Sequence, residues 1–140
     1  MPTAADPWLL DTSAAVALVV ADHEHHEATF SALAGRRLGL AGHAAVETYS
    51  VLTRLPGRRR LTPAAAGRLL TTNFPHTKHL GAAQAEALFA ALSHHRLAGG
   101  AVYDALVGAA AVQHGLVLAS RDRRAAQTYH RLGVRLELLD

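Results

Sequence analysis

Four short apolar segments constrain the fold of this sequence more than any other feature. They are Trp8–Leu10, Arg37–Ala41, Leu116–Ala119 and Val134–Leu138. Each has the length of a buried strand, and stretches with helical patterns separate them. Strands that alternate with helices in this way form a parallel sheet covered on both faces. With a weaker strand candidate at Thr77–Leu80, the pattern predicts an α/β domain whose central parallel sheet has about four to five strands flanked by helices.

The segments between the strands predict seven helices. They are Ala14–Val20, His23–Leu33, Ala44–Leu55, Thr62–Asn73, Ala82–Leu97, Val102–His114 and Arg123–Leu132. Thr62 before Pro63 is a typical helix start, and Gly115 is a typical helix end. A chain of 140 residues, of which 50% are hydrophobic, is long enough for one domain with a real core, so we predict a single domain over residues 1–140.

Composition excludes several classes of protein. The chain has no cysteine, which rules out disulfides, thiolate zinc sites and a cysteine nucleophile. The apolar run Trp8–Ala21 is short for a membrane span, contains Asp11 and follows no basic region. We therefore expect a cytoplasmic protein without a membrane partner. Basic residues cluster at Arg54–Arg60 and Arg121–Arg124, either as a solvated surface or as contacts to phosphate.

Four acidic residues lie in apolar surroundings, unlike most of the 11 acids of the chain. Asp11 follows an apolar strand, Glu47 lies in an apolar helix, Asp104 is the only charge between Ala101 and Val112, and Asp122 follows another strand. Each has an ordinary explanation. Asp11 and Asp122 could cap the next helix, Asp104 could face a helix dipole, and Glu47 could lie on an exposed face with Arg54 two turns away.

Taken together, the four acids favour a metal site. A buried ionised carboxylate is costly unless it is paired or bound to a metal. In open α/β sheets, ligands bind beyond the carboxyl ends of the strands, where neighbouring strands would bring Asp11 and Asp122 together. Converging carboxylates need a counter-charge, and Mg²⁺ prefers oxygen ligands, water and substrate phosphate. Such an ion could activate water for hydrolysis of a phosphodiester, and nearby arginines could hold the polyanion.

The same residues resemble the motifs of a PIN-domain ribonuclease, and more narrowly of a VapC-type toxin from a bacterial toxin–antitoxin pair. The matching pieces are Leu10–Ser13, Val46-Glu47, Gly100–Ala105 and Ala119–Arg123. Each motif is short, but their order and spacing cover nearly the whole chain. The resemblance implies the parallel-sheet fold and cleavage of RNA by an endonuclease that depends on Mg²⁺, with Mn²⁺ as a substitute. It also implies a homodimer, a cognate VapB-like antitoxin, and transfer RNA or ribosomal RNA as substrate.

The resemblance also implies roles for individual residues. Asp11, Glu47, Asp104 and Asp122 would be the four catalytic acids. Asp11 and Asp104 would ligate the metal directly, whereas Asp122 and Glu47 would act through water. Ser120, two residues before the last acid, would support Asp122 or a water molecule, and Thr12 would have a supporting role beside Asp11.

Other interpretations remain open at this stage. The tract His23-Glu24-His25-His26-Glu27 would place His23 and Glu27 on one helix face, as a transition-metal site, an RNA contact or a pH-sensitive element. A PIN fold with a weak site could serve as an RNA- or protein-binding module. A receiver-like domain would need a lysine near a late strand, but the only lysine is Lys78, in mid-chain. A small-molecule α/β enzyme would be expected to carry a glycine-rich loop after the first strand, which is absent.

Overall fold

The computed structural model describes residues 3–140, and it forms four strands and seven α-helices. The strands are β1 (Trp8–Leu10), β2 (Leu38–Leu40), β3 (Leu118–Ser120) and β4 (Leu136–Leu138). The helices are α1 (Thr12–Val19), α2 (His26–Leu33), α3 (Ala44–Thr53), α4 (Pro63–Asn73), α5 (Ala82–Ala91), α6 (Ala101–His114) and α7 (Arg123–Arg131). A short 3-10 helix spans Gly57–Arg59. The predicted parallel α/β fold is confirmed.

The sheet has the strand order β2-β1-β3-β4, and every neighbouring pair is parallel. Successive residues of a strand point to opposite faces, and this alternation builds two cores. Leu10 and Ala119 pack in a cluster with residues of α1–α4, whereas Leu9 and Leu118 pack with α6 and α7. The sheet is thus covered on both faces.

The strand predicted at Thr77–Leu80 is reduced to one bridge residue, Lys78, which pairs in parallel with Ala41 and donates its N–H to the carbonyl oxygen of Leu40 at 3.0 Å. The segment runs beside β2, but the hydroxyl of Thr77 accepts the N–H of Leu40 at 3.0 Å and so interrupts the regular backbone ladder. The segment also crosses Gly39 so closely that a Cβ there would lie 2.2 Å from the carbonyl oxygen of His76. Glycine is therefore required at position 39.

Two predicted helices are too long. The helix predicted over Ala82–Leu97 ends at Ala91, because the chain turns through a left-handed Arg96 (φ 56°) and buries Leu97 beside Leu88. The helix predicted over His23–Leu33 begins at His26. The N–H of His25 is bonded to Nδ1 of His23 at 3.0 Å, and a side-chain bond of this kind competes with the helical one.

Helix starts follow the sequence signals well. The hydroxyl of Thr62 accepts the N–H of Ala65, and Pro63 is the first residue of α4, as predicted. Gly115 ends α6 in the left-handed conformation.

No helix within residues 3–140 has the length and apolar character needed to cross a membrane.

Candidate active site

Asp11 lies at the carboxyl end of β1 and is the most enclosed acid of the site, with 4% of its surface exposed. Its Oδ1 accepts the hydroxyl of Ser13 at 2.6 Å and the N–H of Ala14 at 3.1 Å, which caps α1. Its Oδ2 accepts the hydroxyls of Ser120 at 2.5 Å and Tyr129 at 2.9 Å. Burial raises the pKa of Asp11, and these four hydrogen bonds oppose that rise.

Asp122 lies two residues beyond β3 and caps α7. Its Oδ1 accepts the N–H groups of Arg124 at 2.9 Å and Ala125 at 3.3 Å. The hydroxyl of Ser120 joins it to Asp11, since it donates to the Asp11 carboxylate and accepts the N–H of Asp122 at 3.0 Å. The structure therefore brings Asp11 and Asp122 together at the edge where the strand order predicted them, and both acids also cap helices.

Tyr129 and Ser13 are contacts of Asp11 that the sequence did not single out. Tyr129 is 1% exposed and reaches Asp11 from α7, and burial followed by the charge of Asp11 raises its pKa well above the usual range. The hydroxyl of Ser13 also accepts the N–H of Arg121 at 2.8 Å. A signal was available for Tyr129, because it is the only aromatic residue of α7 and lies two turns after Asp122.

Glu47 lies in the first turn of α3 and is half-buried. It accepts the hydroxyl of Thr12 at 3.2 Å, which links it to the start of α1 beside Asp11. Its other carboxylate oxygen pairs with His43 at 3.2 Å, one turn earlier. The alternative pairing with Arg54 is wrong, because the guanidinium of Arg54 reaches Ser50 instead.

Asp104 lies in the first turn of α6 and differs from Asp11 in having no hydrogen bond or ion pair from its side chain within residues 3–140. Its pKa is raised to about 6, first by burial and then by the negative charges of Asp122, Asp11 and Glu47. The positive charge of Arg124 opposes that rise. The other three predicted acids therefore lie close enough to Asp104 to act on it electrostatically.

Two cavities adjoin the acids. One, of about 430 Å³, lies between α3 and α6 and is lined by Glu47, Asp104 and Tyr103 among others. Tyr103 stacks on His43 with 5.4 Å between ring centroids. The other, of about 580 Å³, is lined by Thr12, Ser13 and a set of charged residues: His23, Glu24, His25, Arg121, Arg123 and Asp140.

The histidine tract does not form the metal site that its composition suggested. His23 precedes α2, so His23 and Glu27 do not share a helix face, and that expectation is wrong. His26 bonds to the carbonyl oxygen of Ala17 at 3.0 Å, and His25 pairs with Glu24 at 3.4 Å. Across residues 3–140, no group of three or more histidine, aspartate or glutamate side chains, the four acids included, is arranged so that it could hold a metal ion.

The comparisons with known proteins agree with this architecture. Residues 8–131 match the family model of the PIN domain. The chain is also 48% identical over 128 residues to Ribonuclease VapC27 of Mycobacterium tuberculosis (strain ATCC 25618 / H37Rv), an alignment that covers 91% of this chain and 93% of the relative. This chain belongs to the PIN-domain family. Within that family it groups with the VapC proteins.

Two solved structures share the fold of this PIN domain. VapC20 of Mycobacterium tuberculosis, described as a Sarcin-Ricin loop cleaving toxin, superposes with a TM-score of 0.68 at 23% identity, covering 86% of this chain and 93% of its own. VapBC2 of Rickettsia felis, solved bound to a DNA fragment from their promoter, gives a TM-score of 0.68 at 14% identity, covering 96% and 100%. At these identities the likeness concerns the fold.

Proposed function

We propose that this chain is an endoribonuclease that depends on Mg²⁺, with Mn²⁺ as a substitute, and that it is the toxin of a VapBC-type pair. The observation that carries the proposal is the convergence of Asp11, Glu47 and Asp122 on the half-buried Asp104. Burial first, and then these three negative charges, raise the pKa of Asp104 to about 6, and the cation Arg124 opposes that rise. Four converging acids need a counter-charge, and a divalent cation provides it with the ligand chemistry they offer.

Asp104 and Asp11 differ in how readily each could ligate such an ion. Within residues 3–140 the side chain of Asp104 makes no hydrogen bond, and it lines an open cavity, so it can ligate a metal without first giving up a hydrogen bond. Both oxygens of Asp11 already accept two hydrogen bonds, so direct ligation by Asp11 requires one donor to give way. Ser13, whose hydroxyl adjoins the larger cavity, is the donor best placed to move.

When bound, the ion would lower the pKa of a water molecule and stabilise charge on a phosphodiester. The protein residues prepare this chemistry. The hydroxyl of Ser120 and the phenol of Tyr129 hold Asp11 in place, the start of α7 holds Asp122, and Thr12 orients Glu47. The carboxylate oxygens of Glu47 and Asp122 can orient an attacking water molecule or accept its proton.

RNA is proposed as the substrate because the relative at 48% identity is named a ribonuclease. Transfer RNA and ribosomal RNA both remain predictions, and the description of VapC20 as a Sarcin-Ricin loop cleaving toxin supports the second. An antitoxin partner resembling VapB is supported by the likeness to VapBC2. The homodimer remains an expectation from the family, and the cytoplasmic location remains an expectation from the sequence.

One observation favours a second candidate, a PIN-fold module that binds RNA or protein and cleaves weakly. The Asp11 carboxylate is 4% exposed and has all four of its acceptor positions occupied, so a metal cannot reach it in this arrangement. The two candidates differ in one respect that can be measured. A nuclease turns over RNA in the presence of the ion, whereas a binding module retains it intact.

The test is a cleavage assay on structured ribosomal and transfer RNA with purified protein, in Mg²⁺, in Mn²⁺ and in excess chelator. We expect cutting with either ion and none with the chelator. Asp104→Asn should reduce the rate by about 10³-fold, the scale of losing one group that stabilises transition-state charge. Glu86→Gln is the matched control, because Glu86 is an exposed acid on α5. Equal rates for wild type and Asp104→Asn would refute the assigned site.

A further inference from the structure

Arg121 is a cation that the proposed reaction leaves unexplained. It lies between β3 and α7, and its backbone N–H is bonded to Ser13. In the guanidinium, Nη1 donates to the hydroxyl of Thr29 at 3.2 Å, while Nε is buried with no hydrogen-bond partner. It forms no ion pair with any carboxylate of residues 3–140. An unsatisfied charged donor of this kind lowers stability unless an acceptor reaches it.

The other arginine in the wall of the 580 Å³ cavity has a carboxylate partner. Arg123 pairs with Asp140 at 3.2 Å, whereas Arg121 has no such partner among residues 3–140. Arg121 is left as the uncompensated positive charge, and the cavity has the volume of a pocket for a small organic group.

The 580 Å³ cavity shares two of its lining residues with the contacts of the acids. Thr12 and Ser13 line it, and their hydroxyls bond to Glu47 and Asp11 respectively. The cavity therefore lies next to the acids, on the side where Thr12 and Ser13 contact them. The acids by themselves repel a polyanion, so a cation beside them is needed to hold it.

We propose that Arg121 is the cation of a phosphate-binding subsite that holds the RNA backbone next to the cleaved phosphodiester. The inference rests on the proposed ribonuclease function and adds a specific contact to it. Arginine suits this role, because its planar fork can donate two parallel hydrogen bonds to phosphate oxygens. The bond to Thr29 uses Nη1, and Nη2 has no partner among the described residues, so the guanidinium can be anchored and still bind an anion.

The test measures binding of a single-stranded RNA oligonucleotide to the Asp104→Asn protein, in which the RNA should stay intact, at several salt concentrations with magnesium held constant. Arg121→Gln should weaken binding about tenfold, as expected for loss of a charged hydrogen bond. It should also lower the slope of log K against log salt by about 0.7, the contribution of one phosphate contact. Arg121→Lys keeps the charge and should weaken binding without changing the slope.

Arg36→Gln is the matched control. Arg36 is an exposed arginine that lies over Trp8 at the opposite end of β1 from the acids, so its loss removes the same charge and should leave the slope unchanged. An unchanged slope for folded Arg121→Gln would overturn this inference alone. If that variant does not fold, unchanged affinity for Arg121→Lys would overturn it. Failure of the parent protein to bind RNA at all would overturn the proposed function and this inference together.

Discussion

The two halves of the candidate active site are built in opposite ways. In the closed half, which comprises Asp11, Ser13, Ser120, Asp122 and Tyr129, hydrogen bonds fix every side chain, and Asp11 alone accepts four. The open half comprises Glu47 and Asp104, with Asp104 free of any partner within the described part of the chain. The closed half therefore supplies fixed geometry, whereas the open half supplies negative charge that a bound ion can neutralise.

The difference predicts opposite effects of the same substitution in the two halves. Asp11→Ala leaves the buried hydroxyls of Ser120 and Tyr129 without their acceptor, so we expect the free energy of unfolding to fall by about 2–4 kcal/mol. Asp104→Ala removes a repelled charge and should leave the metal-free protein equally stable or more stable. Urea unfolding of both variants in chelator measures the contrast. A larger loss for Asp104→Ala would reverse the assignment of the halves.

Tyr129→Phe tests the closed half one bond at a time. The ring stays in the core and only the hydroxyl that donates to Asp11 at 2.9 Å is lost, so a decrease of about 1–2 kcal/mol in unfolding free energy is expected. Tyr49→Phe serves as control, because Tyr49 is 37% exposed and its loss should change stability by less than about 0.5 kcal/mol. Similar losses in the two variants would show that the hydroxyl of Tyr129 contributes nothing specific.

The open half should make the stability of the metal-free protein decrease as the pH rises. The pKa of Asp104 is about 6 in the folded chain against 3.8 as the ordinary value, so the folded state holds more protons between these two pH values. Stability therefore decreases as pH rises through this window, which is the reverse of a salt-bridged aspartate.

Asp104→Asn removes this contribution. In chelator, the variant should melt at the same temperature as wild type near pH 4 and about 2–4 °C higher above pH 7, a shift that corresponds to about 1 kcal/mol after allowance for solvent screening. Melting temperatures across this range measure the difference. A variant that melts lower than wild type at pH 7 would mean that Asp104 is stabilised by its surroundings rather than repelled.

The smallest expected effect concerns Thr12, whose hydroxyl donates to Glu47 at 3.2 Å on the partly exposed side of the site. Thr12→Val keeps the shape of the side chain and should change the free energy of unfolding by less than about 0.5 kcal/mol. If Thr12 only orients Glu47, cleavage should slow several-fold while stability is kept. A loss of stability as large as that of Tyr129→Phe would place Thr12 in the closed half.

The sequence was sufficient for the parallel sheet, because short apolar runs such as Leu116–Ala119 separated by capped helices have few other interpretations. It also predicted that Asp11 and Asp122 would meet, since both follow strands that became neighbours β1 and β3. The segment at Thr77–Leu80 forms a single bridge with the sheet instead of the predicted strand. Its departure from a strand depends on a side-chain bond between Thr77 and Leu40, which no local pattern reveals.

The difference in hydrogen bonding between the four acids could not be predicted from the sequence. Asp11 and Asp104 both have apolar neighbours along the chain, yet the Asp11 carboxylate accepts four hydrogen bonds and the Asp104 carboxylate accepts none from residues 3–140. The difference arises from Ser120 and Tyr129, which lie more than 100 residues after Asp11 and reach it only in the folded chain. The uncompensated charge of Arg121 likewise became visible only once the partners of its neighbours were known.

If Asp104 and Glu47 belong to a site for a divalent cation, the purified protein should bind Mn²⁺ at pH 7. Calorimetric titration measures this binding directly. We expect saturable binding by wild type and by the Glu86→Gln control, and at least tenfold weaker binding by Asp104→Asn. Saturable binding with equal affinity in all three proteins, or no binding by wild type, would contradict a metal centre at Asp104.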